Sequence, residues 1–323
     1  MKDFYIYKKK YYDISDNILY NFLCSFTVLS DWSLIWVSGL DSKKYLQSQI
    51  TINLFLLNLH DHILCAHCNY KGKVWSTLRL FHYKSGYAYI QRNSVCTIQI
   101  DELKKYSVFS DVNITRLHHF ILLGISGLHS RNILLGYFKN LPDQKKSVIY
   151  INNNIVLWFQ DPIERFLLIL EKEDFIKLRQ WLLNQYIKHV KNQWLFLDIQ
   201  SGIPIIEKKT IGKYVPQEIN LEYFNGIDFK KGCYCGQEII SRLHFRNVNK
   251  RKLYCLIGIS NIIPNVLANV EMYDGIWKKV GNVFFVLHFQ NNIFCIQCIL
   301  NNKIDSHKIF RISTNVTSYF VIK

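Results

Sequence analysis

The densest chemistry in this 323-residue chain is the run Lys230-Lys231-Gly232-Cys233-Tyr234-Cys235-Gly236-Gln237-Glu238, continued by Ile239-Ile240-Ser241-Arg242. Its two glycines suit positive φ or a close backbone approach to a ligand. Lys230 and Lys231 precede Cys233, and positive charge beside a thiol favours the nucleophilic thiolate. Cys233 is therefore a candidate functional cysteine, with Lys231 as its activator. Arg242 falls one helical turn after Glu238 and can return to the same place. The competing reading makes Cys233 a small buried thiol at a helix start, and composition alone favours it. Two Cys-x-x-Cys pairs, Cys65/Cys68 and Cys295/Cys298, suggest metal ligation. Both lie in strand-like runs, where positions three apart face opposite ways, and neither suggests a tight turn, so no metal site is expected. Cys235 stays unassigned. The run Arg242, His244, Arg246, Lys250, Arg251 and Lys252, with Phe245 interleaved, can grip RNA phosphate and stack a base. A solvated linker into the last domain explains it almost as well.

These residues need elements to position them. Asp41 or Ser42 caps a short helix running to Gln49. Strand-like runs follow at Ile63 to Cys68, Val74 to Phe81 and Tyr87 to Ile90, and a helix is expected near Gln99 to Tyr106. Phe120 to Gly124 and Phe166 to Leu170 read as buried strands, and His129 to Phe138 as a helix. The clearest helical periodicity spans Glu173 to Val190, and Asp198-Ile199-Gln200 reads as strand. Beyond Leu253 the segments Val280 to Phe289 and Ile293 to Leu300 look like a small antiparallel β domain. The fold class is α+β, in two mixed portions followed by a β-rich one.

Hydrophobic residues at 49% and charged residues at 20% describe a globular chain with a sizeable core. A formal net charge of +16 favours polyanionic partners, although AT-rich codon drift explains the excess of Lys, Ile, Asn, Tyr and Phe equally well. Nine scattered cysteines in a chain of this size read as reduced thiols rather than disulfide staples. Lys8-Lys9-Lys10 ahead of Ile18 to Leu29 imitates a signal peptide, but Asp13 and Asp16 intervene and no cleavage site follows. That stretch is also too short and interrupted to span a bilayer. A cytoplasmic protein without a membrane span is expected.

The string KGCYCGQEIISR resembles the signature K-G-C-[YF]-x-G-Q-E-x-x-x-R of the YgfZ family. These are folate-binding proteins linked to tRNA modification and iron–sulfur enzyme maintenance, and relatives of the glycine cleavage T-protein (aminomethyltransferase). The resemblance extends to Asp31-Trp32, to Gly39-x-Asp41-x-x-x-Tyr45-Leu46-Gln47-x-Gln49-x-Thr51, to Ala66-His67-Cys68-x-x-Lys71-Gly72-Lys73 and to Gln193-Trp194-Leu195. Glu102 to Ser110, Gly202-Ile203-Pro204 and Asn301-Asn302 also match, so it covers the chain apart from about the first dozen residues.

The resemblance implies an aminomethyltransferase-like ring of three domains closed by a C-terminal β-barrel. Taken linearly these are residues 1–115, 116–245 and 246–323, with the first two free to interleave. It implies that tetrahydrofolate or a related folate stacks on Trp32 and Trp194, with Cys233 facing the same cleft. In the signature loop Gly232, Tyr234, Gly236, Gln237, Glu238 and Arg242 match the family. Two positions depart from it. Ser76-Thr77 stand where the T-protein has its catalytic Asp pair, and a hydroxyl cannot replace a carboxylate as base near neutral pH. Gln200 stands where relatives commonly carry Glu, leaving one pterin N–H without a charged partner. The expectation is a folate-binding accessory protein of tRNA modification, acting through iron–sulfur tRNA-modifying enzymes, and not a one-carbon transfer enzyme. The alternatives are an active aminomethyl transferase, and an RNA-binding protein with a vestigial folate site that contacts tRNA directly.

Overall fold

The computed structural model describes residues 24–289, 292–305 and 307–323. Lys8-Lys9-Lys10, Asp13, Asp16 and the start of the Ile18–Leu29 stretch lie outside them. Strand β1 (Ser25–Val28) enters one sheet, and the chain then crosses at once to another. The sheet it crosses to, the first sheet, holds β2 (Trp32–Ser38), β3 (His62–Cys68), β4 (Val74–Tyr83), β5 (Gly86–Arg92) and β6 (Asn113–Arg116), antiparallel in the order β3-β4-β5-β2-β6. Along β4, buried and half-buried residues alternate from Val74 to Leu80, the two-residue period of a strand. Helices α1 (Ser42–Gln47) and α2 (Asn93–Lys104) cover the outer face, setting Tyr45, Leu46, Cys96 and Leu103 on Ile35, Leu78 and Tyr89.

The second sheet takes β1 back and adds β7 (Phe120–Ser126), β8 (Val148–Ile151), β9 (Asn154–Phe159), β10 (Arg165–Glu171) and β11 (Lys188–His189), in the order β11-β1-β7-β10-β9-β8. Helices α3 (Ser130–Leu135) and α4 (Lys172–Asn184) pack Leu134, Leu178 and Leu182 against Leu123, Phe166 and Leu168. The inner faces of the two sheets meet, with Leu34, Phe81 and Ile90 against Leu122, Leu157, Leu167 and Trp194. Helix α5 (Gln193–Gln200), a long series of turns and α6 (Gln237–Phe245) lead to the last unit. There β12 (Arg251–Ile259), β13 (Asn269–Asp274), β14 (Ile276–His288), β15 (Ile293–Asn301), β16 (Ile309–Ile312) and β17 (Asn315–Ile322) close a barrel in the order β12-β15-β14-β13-β16-β17. The α+β class and the C-terminal barrel agree with expectation.

Strand β1 pairs with β7 in the second sheet, the interleaving of the first two units that the linear boundaries left open. Three sequence readings differ from the structure. Residues 203–240, grouped with residues 116–202 by the linear boundaries, do not pack with the second sheet. Ile203, Ile205, Ile219, Leu221 and Ile240 share one core with Leu64, Ala66 and Val74 of the first sheet and Phe284, Phe285 and Ile299 of the barrel. The helix expected to reach Val190 stops at Asn184. Tyr186 adopts φ 58°, and the amides of Tyr186 and Ile187 bond back to Leu183 and Leu182, a Schellman closure without its usual glycine. Finally, Asp198-Ile199-Gln200 is the end of α5 rather than a strand; a short apolar run does not distinguish the two.

Gln297 of β15 docks the barrel. Its amide nitrogen donates to Ile203 O at 2.7 Å, and its carbonyl oxygen accepts from Ile205 N at 3.1 Å. Gln297→Leu leaves two buried backbone groups unpaired, at about 1–3 kcal/mol each. Chemical denaturation should show a loss of about 2–4 kcal/mol; a loss below about 0.5 kcal/mol would show that Gln297 does not hold the units together.

Candidate functional site

Trp32 opens β2 and Trp194 lies in the first turn of α5, yet both line one small chamber between the two sheets. Thr77 and Arg79 of β4, Phe159 of β9, Asp198 of α5 and Pro204 complete its polar and aromatic walls. Thr77 spends its hydroxyl on Pro204 O at 3.3 Å. Arg165, fully buried, places Nη2 2.8 Å from Asp198 Oδ1 and donates from Nη1 to Trp194 O at 3.3 Å. Burial pushes the Asp198 carboxyl up and the Arg79 guanidinium down to about 10, while attraction between the charges opposes both shifts. Among the described residues the Arg79 side chain makes no hydrogen bond or ion pair; it lies 5.1 Å over the Phe159 ring, and Asp198 attracts its charge.

The two indoles have different situations. Trp194 is buried, with Arg165 4.4 Å over its ring and Phe159 edge-on at 5.3 Å. Gly124 lies so close that a Cβ there would come within 2.4 Å of its Cε3, so Trp194 has little surface free for stacking. Trp32 is half-buried with Arg92 5.1 Å over its ring, and Arg92 is held by Glu207 at 2.7 Å. Trp32 also borders a groove of about 300 Å³ lined by Leu34, Arg116, Leu117, His118 and Phe120. The chamber measures about 30 Å³, room for a water and too little for a pterin bicycle. The groove is in the range of ligand sites. Trp32 is thus the wall between a small charged chamber and a ligand-sized groove.

Gln200 does not line the chamber; its amide nitrogen is buried without a hydrogen-bond partner among the described residues. On a helix it lies about 200° around from Asp198, so Asp198 does not share its face. The carboxylate that reaches the cavity is Asp198. Sequence reading missed Arg79 and Arg165. Their signal was a cation inside a strand of buried apolar residues, Leu78-Arg79-Leu80 and Arg165-Phe166-Leu167.

The signature loop lies elsewhere. Lys231, expected to activate Cys233, is buried and donates to the carbonyls of Gln47, Ile50 and Ile52 at 2.6, 2.7 and 2.7 Å. All three ammonium donors are used, which holds the charge although burial draws its pKa down to about 8. The ammonium also lies 4.8 Å over the ring of buried Tyr234. Gly236 does need to be glycine: φ is 82°, and a Cβ would come within 2.5 Å of Asn69 O and 2.7 Å of Gly72 Cα. The Lys71-Gly72-Lys73 turn and the signature loop are therefore packed backbone to backbone. Gly232 shows neither constraint. Gln237 donates to Lys231 O at 3.4 Å, and exposed Glu238 pairs with Arg242 at 2.6 Å, one turn on as expected. Cys233 is exposed and is not among the residues lining the tryptophan chamber. The paired cysteines separate by core: Cys65 and Cys298 fall in different hydrophobic clusters from Cys68 and Cys295.

Lys231→Met strands three carbonyls and should cost more than about 3 kcal/mol in denaturant unfolding. Cys233→Ser, at an exposed position, should stay within about 0.5 kcal/mol of wild type. Equal stabilities for the two variants would refute the structural role of Lys231.

Comparison with known proteins identifies the family and the fold. Residues 249–315 match the family profile described as YgfZ, beta-barrel domain. The "tRNA-modifying protein YgfZ" of Buchnera aphidicola subsp. Acyrthosiphon pisum (strain APS) is 43% identical, covering 92% of this chain and 93% of its own. The protein of the same name from Buchnera aphidicola subsp. Schizaphis graminum (strain Sg) is 42% identical, over 90% and 92%. In structure, the glycine cleavage system aminomethyltransferase T of Bartonella henselae superposes with a TM-score of 0.75. It covers 93% of this chain and 85% of its own at 12% identity, which establishes a shared fold. With a barrel that matches the family profile and relatives matched along nine-tenths of their length, the chain belongs to the YgfZ family.

Proposed function

We propose that this protein supports tRNA modification as a folate-binding accessory factor, with a reduced folate held against Trp32. The tRNA role rests on near full-length relatives named as tRNA-modifying proteins. The observation that carries the folate part is Trp32 itself, a half-buried indole bordering a groove of about 300 Å³ on one side and the Arg79–Asp198 chamber on the other. A flat indole can stack a pterin at little entropic cost. Arg116 and His118 in the groove, and Arg79 behind the indole, supply polar groups for ring edges or a carboxylate tail. The closed chamber is too small for a pterin, so the ring belongs on the groove side unless Trp32 turns. Trp194 supports this site by packing beneath it rather than by stacking.

When bound, a reduced folate supplies an electron-rich ring that can carry one-carbon units. The residues here are suited to holding and orienting it. Among the chamber's lining residues the one carboxylate, Asp198, is tied to Arg165, and Thr77 gives its hydroxyl to a backbone carbonyl. Neither is free as a base, which supports an accessory role over aminomethyl transfer. Sustaining iron–sulfur enzymes that modify tRNA is the activity we assign to it, with the exposed Cys233 thiol as its reactive group.

Trp32→Ala should weaken tetrahydrofolate binding at least roughly tenfold, read by tryptophan fluorescence, at little cost in stability. Trp194→Ala should lose about 3–5 kcal/mol of stability as a core truncation. In a strain lacking the protein, tRNA modification should return with wild type and fail with Trp32→Ala or Cys233→Ser. Unchanged folate quenching in Trp32→Ala would remove the folate site; full rescue by Cys233→Ser would remove the thiol.

A further inference from the structure

The C-terminal end of α6 presents aromatic and basic side chains that neither the tryptophan chamber nor the signature loop uses. His244 stacks on Phe229 at 3.7 Å and 17°, a flat pair at the surface. Phe245 beside them is 73% exposed, although it is a large apolar ring at a helix end. It meets His244 at 80° and Phe229 at 65°, so neither ring lies flat on it. Val248, three residues on, is also exposed. The helix is anchored by one buried side chain, Ile240, so packing does not account for Phe245.

Cations flank these rings along the chain. Lys230 adjoins Phe229, Arg246 caps α6, and Lys250, Arg251 and Lys252 lead into β12; all are exposed. The carboxylates on the same surface are partly neutralised already. Glu238 pairs with Arg242, and Glu218 is shared by Lys73 at 3.7 Å and Arg251 at 3.8 Å, while Glu222 lies 3.1 Å from His244 Nδ1. Lys230, Arg246, Lys250 and Lys252 have no carboxylate partner among the described residues. An excess of exposed, unpaired cations beside an uncovered aromatic ring is the composition of a single-strand nucleic-acid site. There guanidinium and ammonium groups follow the phosphates and a base stacks on the ring.

We propose that this end of α6, with Lys230 and the start of β12, binds single-stranded RNA, with a base stacked on Phe245 and phosphates on Arg246 and Lys250. The proposal builds on the tRNA part of the functional reading and is independent of the folate part. It places the bound strand beside the loop that carries Cys233. An acidic protein segment would meet the charges but has no use for the open ring.

The test is fluorescence anisotropy with three labelled probes: an unmodified tRNA transcript, a short single-stranded oligoribonucleotide and a blunt RNA duplex. Arg246→Glu/Lys250→Glu should weaken all three at least roughly tenfold and flatten the dependence of log K on log salt by between one and two. Phe245→Ala should weaken the single strand by roughly tenfold while leaving the duplex within about twofold. Wild-type tRNA affinity in both variants would overturn the proposal. Displacement of tRNA by polyglutamate as readily as by unlabelled oligoribonucleotide would also overturn it, in favour of acidic-protein docking. Tetrahydrofolate quenching, measured on the same variants, should be unchanged and separates this outcome from failure of the folate site.

Discussion

One buried ammonium organises the region that the family signature marks. Lys231 reaches across from the segment before α6 to the chain after α1, and each of its three protons has a carbonyl there. A buried charge is tolerable only when its donors are satisfied, and here the satisfaction comes from backbone that cannot move away independently. Other links follow the same seam. Asp228 N bonds to Thr51 O, Thr51 Oγ1 to Gly226 O, and Cys235 N to Ser48 O. The loop is thereby pressed onto the β3–β4 turn, where Gly236 leaves no room for a side chain and Gly72 little. The signature is first a clamp between distant parts of the chain, and the exposed Cys233 is what the clamp presents.

The β3–β4 hairpin connects this clamp to the tryptophan chamber. Its turn touches Gly236, while Leu64, Thr77 and Arg79 further along line the cavity with Trp32 and Trp194. The thiol and the indoles are supported by one hairpin, but Cys233 lines neither the chamber nor the groove at Trp32. A ligand at Trp32 and a partner at Cys233 can therefore be engaged separately. Any coupling between them would pass through the strands and not through direct contact.

Much of this was legible from sequence where the information is local. Strand alternation located β3, β4 and β5, the signature string identified the loop, and matched contexts singled out Trp32 and Trp194 from seven tryptophans. The errors came where partners are distant or the local pattern is ambiguous. Lys231 was assigned to Cys233 because they are neighbours in sequence, whereas its partners lie about 180 residues away. Arg165 on β10 and Asp198 on α5 form their pair between separate elements, so neither position announces it. Gln200 was weighed as strand because eight residues of α5 carry too little periodicity to declare a helix. Tyr186 ends α4 in a conformation usually given to glycine, and no sequence rule places it there.

The separation of thiol and indoles is tested most directly by alkylation of the native protein with iodoacetamide. The rate at Cys233 is followed by mass spectrometry, with and without saturating tetrahydrofolate. The structure predicts rapid modification at Cys233, little at buried Cys65 and Cys68, and no change when folate is present. Protection of Cys233 by folate would contradict it, because the thiol and the folate ring would then share one cleft.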